Sequence, residues 1–272
     1  IGLMYFIPCY GFYLFIDNPM RNLIAVSISL YAVRFLLERK PIHYFIIVII
    51  AMTFHMSACI MIPAYFYMNK DLSTKKIIIL YIAINVLFAN RTLLALIISN
   101  VFGSIPYVAG KISSYIESSN TEGGKRDISL GFIIFFTFFI LLCFYKSQIY
   151  KMKNGKIIWN GAITFLILYR LATTIEVFMR FQLYYMIFFV AGISYLTVFF
   201  TERSKKIYIS YLLGLSVIGS NQIFSTWRYL PYTNYLTYAV KGEFPSYSFR
   251  SAYNPNNSPY KSKNKENKNN EK

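Results

Sequence analysis

The sequence predicts an all-α, polytopic integral membrane protein. Of its 272 residues, 56% are hydrophobic and only 14% are charged, whereas about a quarter of a soluble domain is charged. The apolar residues form long blocks without a strand or amphipathic-helix period, so most side chains must face an apolar environment. The net charge of +17 lies largely in the loops between blocks. This pattern is typical of cytoplasmic loops, and we favour it over binding to nucleic acid.

Eight blocks are long enough to be membrane helices or parts of them, since a full span takes about 20 apolar residues. We expect one membrane domain over residues 1–253, with an outer loop at 104–128 and an outer aromatic segment at 226–253. Residues 254–272 are rich in Lys and Asn and are expected to be disordered. The chain starts inside an apolar block without a cleavage motif, so we expect further helices upstream rather than a signal peptide. The blocks are 1–16, 22–37, 42–67, 77–103, 129–145, 157–179, 183–200 and 207–226.

The basic loops determine the expected topology. They lie at 38–40, 69–76, 146–156 and 202–206, and simple alternation of spans would place the most basic one outside. If 42–67 instead forms two short helices that turn near His55, all four loops are cytoplasmic. Non-helical backbone at membrane depth is tolerated where it lines a cavity, so a cavity is expected there. The alternative is one long, tilted span.

Ionisable side chains inside the apolar blocks are candidates for function, because each costs about 2.5–3.5 kcal/mol to insert. The predicted topology places most of them in the outer half of the membrane. Each also has a purely structural interpretation, such as an interfacial anchor, an i,i+4 pair between Glu176 and Arg180, or a packed polar group. We interpret Arg34 as reaching the head groups and His43 as interfacial. The candidates are Arg21, His55, Arg91, Arg170, Glu176 and Arg180.

Several arginines around one outward cavity indicate an anionic ligand, since a guanidinium stays charged and forks onto phosphate or carboxylate. A lipid-linked substrate with a pyrophosphate leaving group fits, because cations stabilise the charge that develops on it. His55 or Glu176 could take a proton from an attacking sugar hydroxyl. With 11 acidic residues and no DxD motif, we expect no metal and no other cofactor.

One further segment has both a structural and a functional interpretation, whereas the cysteines have a structural interpretation only. The aromatic segment after the last block contains Arg228 and Arg250, and it either lies at the membrane interface or covers the cavity and stacks on sugars. The three cysteines, Cys9, Cys59 and Cys143, lie in separate blocks and are expected to be buried, inert thiols.

Two stretches resemble the EpsG-type, Wzy-like polysaccharide polymerases. In residues 18–66 an arginine opens a helix, a basic turn follows, and Phe-His-x-Ser precedes a proline. Residues 169–189 are similar to the family's later arginine with a tyrosine pair, which here includes Tyr184. The family's motif positions match Arg21, His55 and Arg180. Asn22 departs from the pattern, since glutamine is expected there.

The resemblance implies a membrane glycosyltransferase of the bacterial cytoplasmic membrane, with an architecture related to the GT-C type. It would polymerise undecaprenyl-pyrophosphate-linked repeat units on the outer face into a capsular, O-antigen or exopolysaccharide. Arg21 and Arg180 would bind the pyrophosphate, Tyr184 would bind substrate, and His55 would be either the base or a residue that positions the acceptor hydroxyl. Glu176, which rests on the topology argument and not on the resemblance, is the rival base. Partners would be the lipid-linked oligosaccharide, the bilayer, a chain-length regulator and a flippase, and no nucleic acid.

Three alternatives stay open from the sequence. A ligase would transfer a finished glycan from the same leaving group, and only its product would differ. A transporter or flippase of an anionic lipid-linked glycan would place its site near the midplane between repeats, whereas the polar groups here lie on one side. A non-catalytic scaffold would tolerate substitution of Arg21 and Arg180.

Overall fold

A computed structural model describes residues 2–11, 20–89, 130–173, 177–224, 238, 240–242, 246 and 249. Every regular element among these residues is helical, as the composition predicts. The helices are α1 Gly2–Phe6, α2 Met20–Leu37, α3 Pro41–Phe54, α4 Met61–Tyr67, α5 Thr74–Ala89, α6 Leu130–Phe144, α7 Lys146–Lys151, α8 Gly155–Ala172, α9 Val177–Gln182, α10 Met186–Phe199 and α11 Glu202–Phe224, with a π-helical turn at Ile7–Gly11 and 3₁₀ turns at Met56–Ile60 and Leu183–Tyr185.

The chain divides into two compact units. The first comprises residues 1–3 and 13–209, and it contains the helices described below. The second comprises residues 4–12 and 210–272. Within the second unit, the Ser216 hydroxyl donates to the Met4 carbonyl at 3.0 Å, which joins the first described turn of the chain to α11.

Two helical runs in the described part of the chain are long and apolar enough to cross a membrane, Met20–Leu37 and Phe178–Phe199. Shorter apolar helices accompany them, and α3 exposes Ile42, Ile46 and Ile49 along one face. A soluble protein rarely exposes such continuous apolar surface. The outward-facing isoleucines therefore agree with an apolar environment around the helices.

Residues 41–67 form a helical hairpin, as the sequence predicts. Pro41 opens α3 at a first-turn position that needs no N–H donor, and the helix ends at Phe54. The 3₁₀ turn and α4 then return antiparallel to α3. The contact that shows this is the hydrogen bond from the Tyr44 hydroxyl to the Met61 carbonyl at 2.6 Å. The Phe45 and Phe66 rings also meet, with 6.0 Å between centroids. Neither arm reaches the 20 residues of a full span.

The basic loops gather at one end of the first unit. The Arg39 guanidinium lies 3.1 Å from the Asn69 side-chain amide, and Lys146 Nζ lies 2.9 Å from Asp71 Oδ1. The Tyr145 ring stacks on Phe199 at 5.9 Å. These contacts bring together the ends of α2, α4, α6 and α10. The common placement of the loops supports the hairpin over a single tilted span.

Arg34 lies at this basic end, where its guanidinium forms an ion pair. Its Nε donates to Glu38 Oε1 at 2.8 Å, and Lys40 Nζ lies 2.9 Å from the other carboxylate oxygen. The hydrogen bond from Arg34, followed by that from Lys40, lowers the pKa of Glu38 to about 2. Arg34 therefore pairs with a loop carboxylate at the head-group end of α2, away from the other candidates.

Helix α8 packs closely against α10 through small residues. A Cβ built on Gly161 would meet Phe188 Cγ at 2.5 Å, and one on Gly192 would meet Ala162 Cβ at 3.1 Å. In membrane proteins, small residues let two helix backbones approach each other closely. Van der Waals packing then stabilises the helix pair, because the hydrophobic effect does not drive helices together within lipid. This contact fixes α10, and with it the turn that precedes α10, against α8.

We expect Gly161→Ala to lower the free energy of unfolding by about 1–3 kcal/mol, because the added methyl overpacks the Phe188 contact. Gly214→Ala is the matched control, since a Cβ at that helical position meets nothing within 4 Å and alanine favours the helix. Thermal unfolding in detergent, followed by circular dichroism, compares the two. Equal midpoints for both variants would contradict the close packing of α8 on α10.

Candidate active site

His55 lies where the hairpin turns. Its φ of −152° and ψ of 120° break the helical run, so the backbone is extended for one residue. The His55 N–H still closes the last turn of α3 on Ala51 O at 3.1 Å, and its carbonyl accepts from Ala58 N–H at 3.0 Å. The change of direction therefore leaves both backbone groups of His55 bonded, and it turns the side chain away from a regular helical position.

A chain of side-chain hydrogen bonds runs inward from His55. Its Nδ1 lies 2.5 Å from Ser57 Oγ, and Ser57 Oγ lies 3.1 Å from Tyr184 Oη. Tyr184 Oη in turn donates to Asn22 Oδ1 at 3.2 Å. Ser57 is 7% exposed, Tyr184 1% and Asn22 0%, whereas His55 is partly accessible. The imidazole is thus the outer end of a buried polar chain that joins three segments distant in sequence.

Tyr184 and Tyr185, the tyrosine pair, hydrogen-bond to the tip of the hairpin. Both residues belong to the 3₁₀ turn Leu183–Tyr185, and their side chains diverge. Tyr184 reaches Ser57 and α2, while the Tyr185 hydroxyl donates to the Ile60 carbonyl at 3.0 Å. The pair holds the turn around His55 against α2 and α10. Sequence reasoning singled out Tyr184 but not Tyr185, and only the doublet itself could have indicated that both matter.

Arg21 and Arg180 flank the histidine. Arg21 follows the first residue of α2, and Arg180 lies on α9. Both side chains are exposed, and both positive charges act on the His55 ring. Among the residues that the structure describes, neither arginine forms an ion pair. Two exposed guanidinium groups that have no ion-pair partner among the described residues, near one imidazole, provide the electrostatics of an anion site.

Arg170 occupies a different setting from Arg21 and Arg180. Its Nε donates to Asn85 Oδ1 at 2.8 Å and its Nη1 to Thr173 Oγ1 at 2.7 Å, so it joins α8 to α5. The Thr173 hydroxyl donates to the Arg170 carbonyl at 2.7 Å. These bonds give Arg170 a structural role between α8 and α5, and its role in substrate binding stays a prediction.

The helix predicted over 157–179 ends earlier than expected. Helix α8 stops at Ala172, with Thr173 as its C-cap, where a β-branched residue with a backbone-bonding hydroxyl favours a helix end. Arg180 belongs instead to the run that continues through the 3₁₀ turn into α10. This placement sets Arg180 one turn before Tyr184.

Gln182 adds a donor on the same short helix as Arg180. The residue is 7% exposed, and its Nε2 has no hydrogen-bond partner within the described part of the chain. Buried polar atoms are nearly always bonded, so an unpaired one suggests a missing ligand or a functional role. Nothing in the sequence pattern distinguished Gln182 from its neighbours.

Four predicted site residues lie outside the described residues, namely Glu176, Arg91, Arg228 and Arg250, and their roles stay predictions. The described residues include no cluster of His, Cys, Asp and Glu that could hold a metal ion. The expectation of a metal-independent site therefore rests on the sequence argument alone.

The site lies well away from the basic loops. Helix α3 has 14 residues between the basic end and His55, which corresponds to about 21 Å at 1.5 Å per residue. Tyr184 lies a similar number of residues before the basic end of α10. With the basic end at one head-group region, a hydrocarbon core of about 30 Å would place His55 in the far half of the bilayer.

Comparison with known proteins agrees with the resemblance noted in the sequence. A family model described as the EpsG family matches residues 1–238, which include the hairpin, the arginines and the tyrosine pair. Comparison with curated proteins and with solved structures yields no match. Because the family model covers most of the 272 residues, this chain belongs to the EpsG family.

Proposed function

We propose that this protein is a membrane glycosyltransferase that polymerises polyprenyl-pyrophosphate-linked oligosaccharide repeat units into a surface polysaccharide. The reaction takes place at the outer face of the bacterial cytoplasmic membrane. Family membership supports a role in polysaccharide synthesis. The observation that carries the chemical proposal is a partly exposed histidine, supported from within by a hydrogen-bond chain and accompanied by two exposed arginines that form no ion pair with any described residue.

The arginines fit the leaving group. A pyrophosphate gains negative charge as its bond to the anomeric carbon breaks, and preorganised cations lower the barrier by stabilising that charge. The exposed guanidinium groups of Arg21 and Arg180 can fork onto phosphate oxygens. The buried amide nitrogen of Gln182, two residues after Arg180, has no partner among the described residues.

The position of His55 fits the role of a base for the acceptor sugar. The sugar hydroxyl of the acceptor attacks the anomeric carbon of the donor, a new C–O bond forms, and the bond to pyrophosphate breaks with its electron pair on the departing oxygen. The hydroxyl proton moves to His55 Nε2, the ring nitrogen that the Ser57 contact leaves available. General-base catalysis of this kind contributes on the order of 10²- to 10⁴-fold.

The arrangement of charge supports an outer-face reaction. All four basic loops lie at one end of the helices, as expected for the cytoplasmic side, and His55 lies about 21 Å from that end by the length of α3. An anion-binding group in the far half of the membrane matches a substrate presented after translocation. A transporter would instead place its site between repeats near the midplane.

The test is purified protein supplied with one defined polyprenyl-pyrophosphate-linked repeat unit. We expect a ladder of products that differ by one repeat unit, together with release of the pyrophosphate lipid. Protein in which both Arg21 and Arg180 are replaced by alanine is the negative control. Products resolved on a gel give chain length, and lipid analysis gives the leaving group.

The other outcomes separate the alternatives. Transfer of one glycan to a different acceptor without growth would indicate a ligase and overturn the polymerase assignment. Movement of labelled lipid-linked glycan across proteoliposomes without any new glycosidic bond would indicate transport. Absence of both chemistry and transport from folded protein would favour a scaffold.

A further inference from the structure

The inner end of the polar chain is Asn22, a residue for which the proposed reaction has no direct use. It lies on α2 beside Arg21 and is 0% exposed. Its side-chain oxygen accepts the Tyr184 hydroxyl at 3.2 Å. An amide oxygen can only accept, whereas a hydroxyl can both donate and accept. Asn22 therefore fixes which group donates and which accepts along the hydrogen-bond chain. The Ser57 and Tyr184 hydroxyls alone would leave that direction open.

The number of available protons then determines which group donates in each of the three hydrogen bonds. Tyr184 has a single hydroxyl proton, which is committed to Asn22 Oδ1. The contact of 3.1 Å between Ser57 Oγ and Tyr184 Oη must then use the Ser57 proton. The contact of 2.5 Å between His55 Nδ1 and Ser57 Oγ must consequently use a proton on Nδ1. This order is the only one that gives every side-chain contact a proton.

One contact competes with this order. The Ser57 backbone N–H points at His55 Nδ1 with a donor–acceptor distance of 3.3 Å, which would require an unprotonated Nδ1. This contact is the longest of the four, since the three side-chain contacts measure 2.5, 3.1 and 3.2 Å. The opposite order would also leave one oxygen–oxygen contact of the buried chain without a proton, and unpaired buried groups are costly. The side-chain order is therefore favoured.

We infer that Asn22, acting through Tyr184 and Ser57, sets the tautomer of neutral His55 so that Nδ1 carries the proton and Nε2 keeps its lone pair. Asn22 is thus a positioning residue for the base. In the other tautomer Nε2 would carry a proton and could only donate, so it could not accept one from a sugar hydroxyl. The catalytic consequence rests on the proposed function, whereas the tautomer itself does not.

The test reads the tautomer directly. The chain has 2 histidines, so His43→Gln leaves His55 as the only imidazole, and ¹⁵N NMR of labelled protein at alkaline pH distinguishes the two neutral forms. We expect the Nδ1–H form in this background. Asn22→Leu, which removes the acceptor at similar volume, is expected to shift the signal to the Nε2–H form and to reduce polymerisation on the order of 10²-fold.

Ser29→Ala is the matched control, because Ser29 lies two turns along the same helix face and is 1% exposed. We expect it to leave both tautomer and activity unchanged. Tyr184→Phe, which interrupts the chain at its middle, replaces Asn22→Leu if that variant does not fold. Asn22→Asp keeps an acceptor oxygen and is expected to keep the Nδ1–H form.

Two results would overturn the inference: the Nε2–H form in the His43→Gln background, or an unchanged tautomer in folded Asn22→Leu and Tyr184→Phe. The measurement needs no substrate. A protein with the expected tautomers but no polymer would therefore refute the proposed function and leave the assignment of Asn22 intact.

Discussion

His55→Ala is expected to abolish polymer formation while the protein stays folded in the membrane. If His55 Nε2 accepts the proton of the attacking hydroxyl, its loss removes a contribution on the order of 10²- to 10⁴-fold. The side chain is partly accessible and bonds mainly to Ser57, so its removal need not disrupt the hairpin, which is held by the Tyr44 and Tyr185 bonds. Gel analysis of polymer from cells and of the purified reaction measures the effect.

The second histidine provides a matched control. His43 is exposed near the start of α3 and stacks on Phe35, with 5.4 Å between ring centroids. We expect His43→Ala to give polymer of normal amount and length. Normal-length polymer from His55→Ala, at equal protein level in the membrane, would refute the role of His55 as the base.

Arg21→Ala and Arg180→Ala are each expected to lower kcat/KM on the order of 10²-fold, which corresponds to about 3 kcal/mol of transition-state stabilisation. Lysine at either position should recover part of the loss, because it keeps the charge but not the planar fork. If both arginines contact one pyrophosphate, kcat/KM of the double variant should fall by a smaller factor than the product of the factors measured for the two single variants. Initial rates with a defined repeat unit give these values.

Arg34→Ala is the control for the arginine pair. It lies on the same helix as Arg21 but at the basic end, where its guanidinium pairs with Glu38. An exposed pair of this kind is worth little, so we expect near-normal polymer. Full activity in both Arg21→Ala and Arg180→Ala would favour the scaffold alternative and remove the anion site.

The hairpin could be predicted because it depends on charge and length, two properties that a sequence displays. The loops at 38–40 and 69–76 are both basic, and they can share one side only if the segment between them returns. The turn lies at His55 as expected. The end of α8 at Ala172 was missed, because the apolar block continues across it.

The site was only partly predictable. Arg21, His55 and Arg180 could be predicted as candidates, because an ionised or polar group inside an apolar block stands out against its neighbours. Ser57 and Asn22 are short polar residues that can lie in any helix, and Asn22 was regarded as a departure from the family pattern. Their importance depends on which residues lie opposite them. Tyr184 meets both of them, across separations of 127 and 162 residues.

The sequence by itself predicted that the part of the chain described by the structure is helical, that an apolar environment surrounds it, and that charge distinguishes one end of the helices from the other. These properties follow from composition and from the cost of placing charge in a membrane, which act on each segment separately. The tertiary structure alone decided which polar side chains meet. A hydrogen bond requires two groups within about 3 Å, and the packing of α2, the hairpin and α10 brings them to that distance.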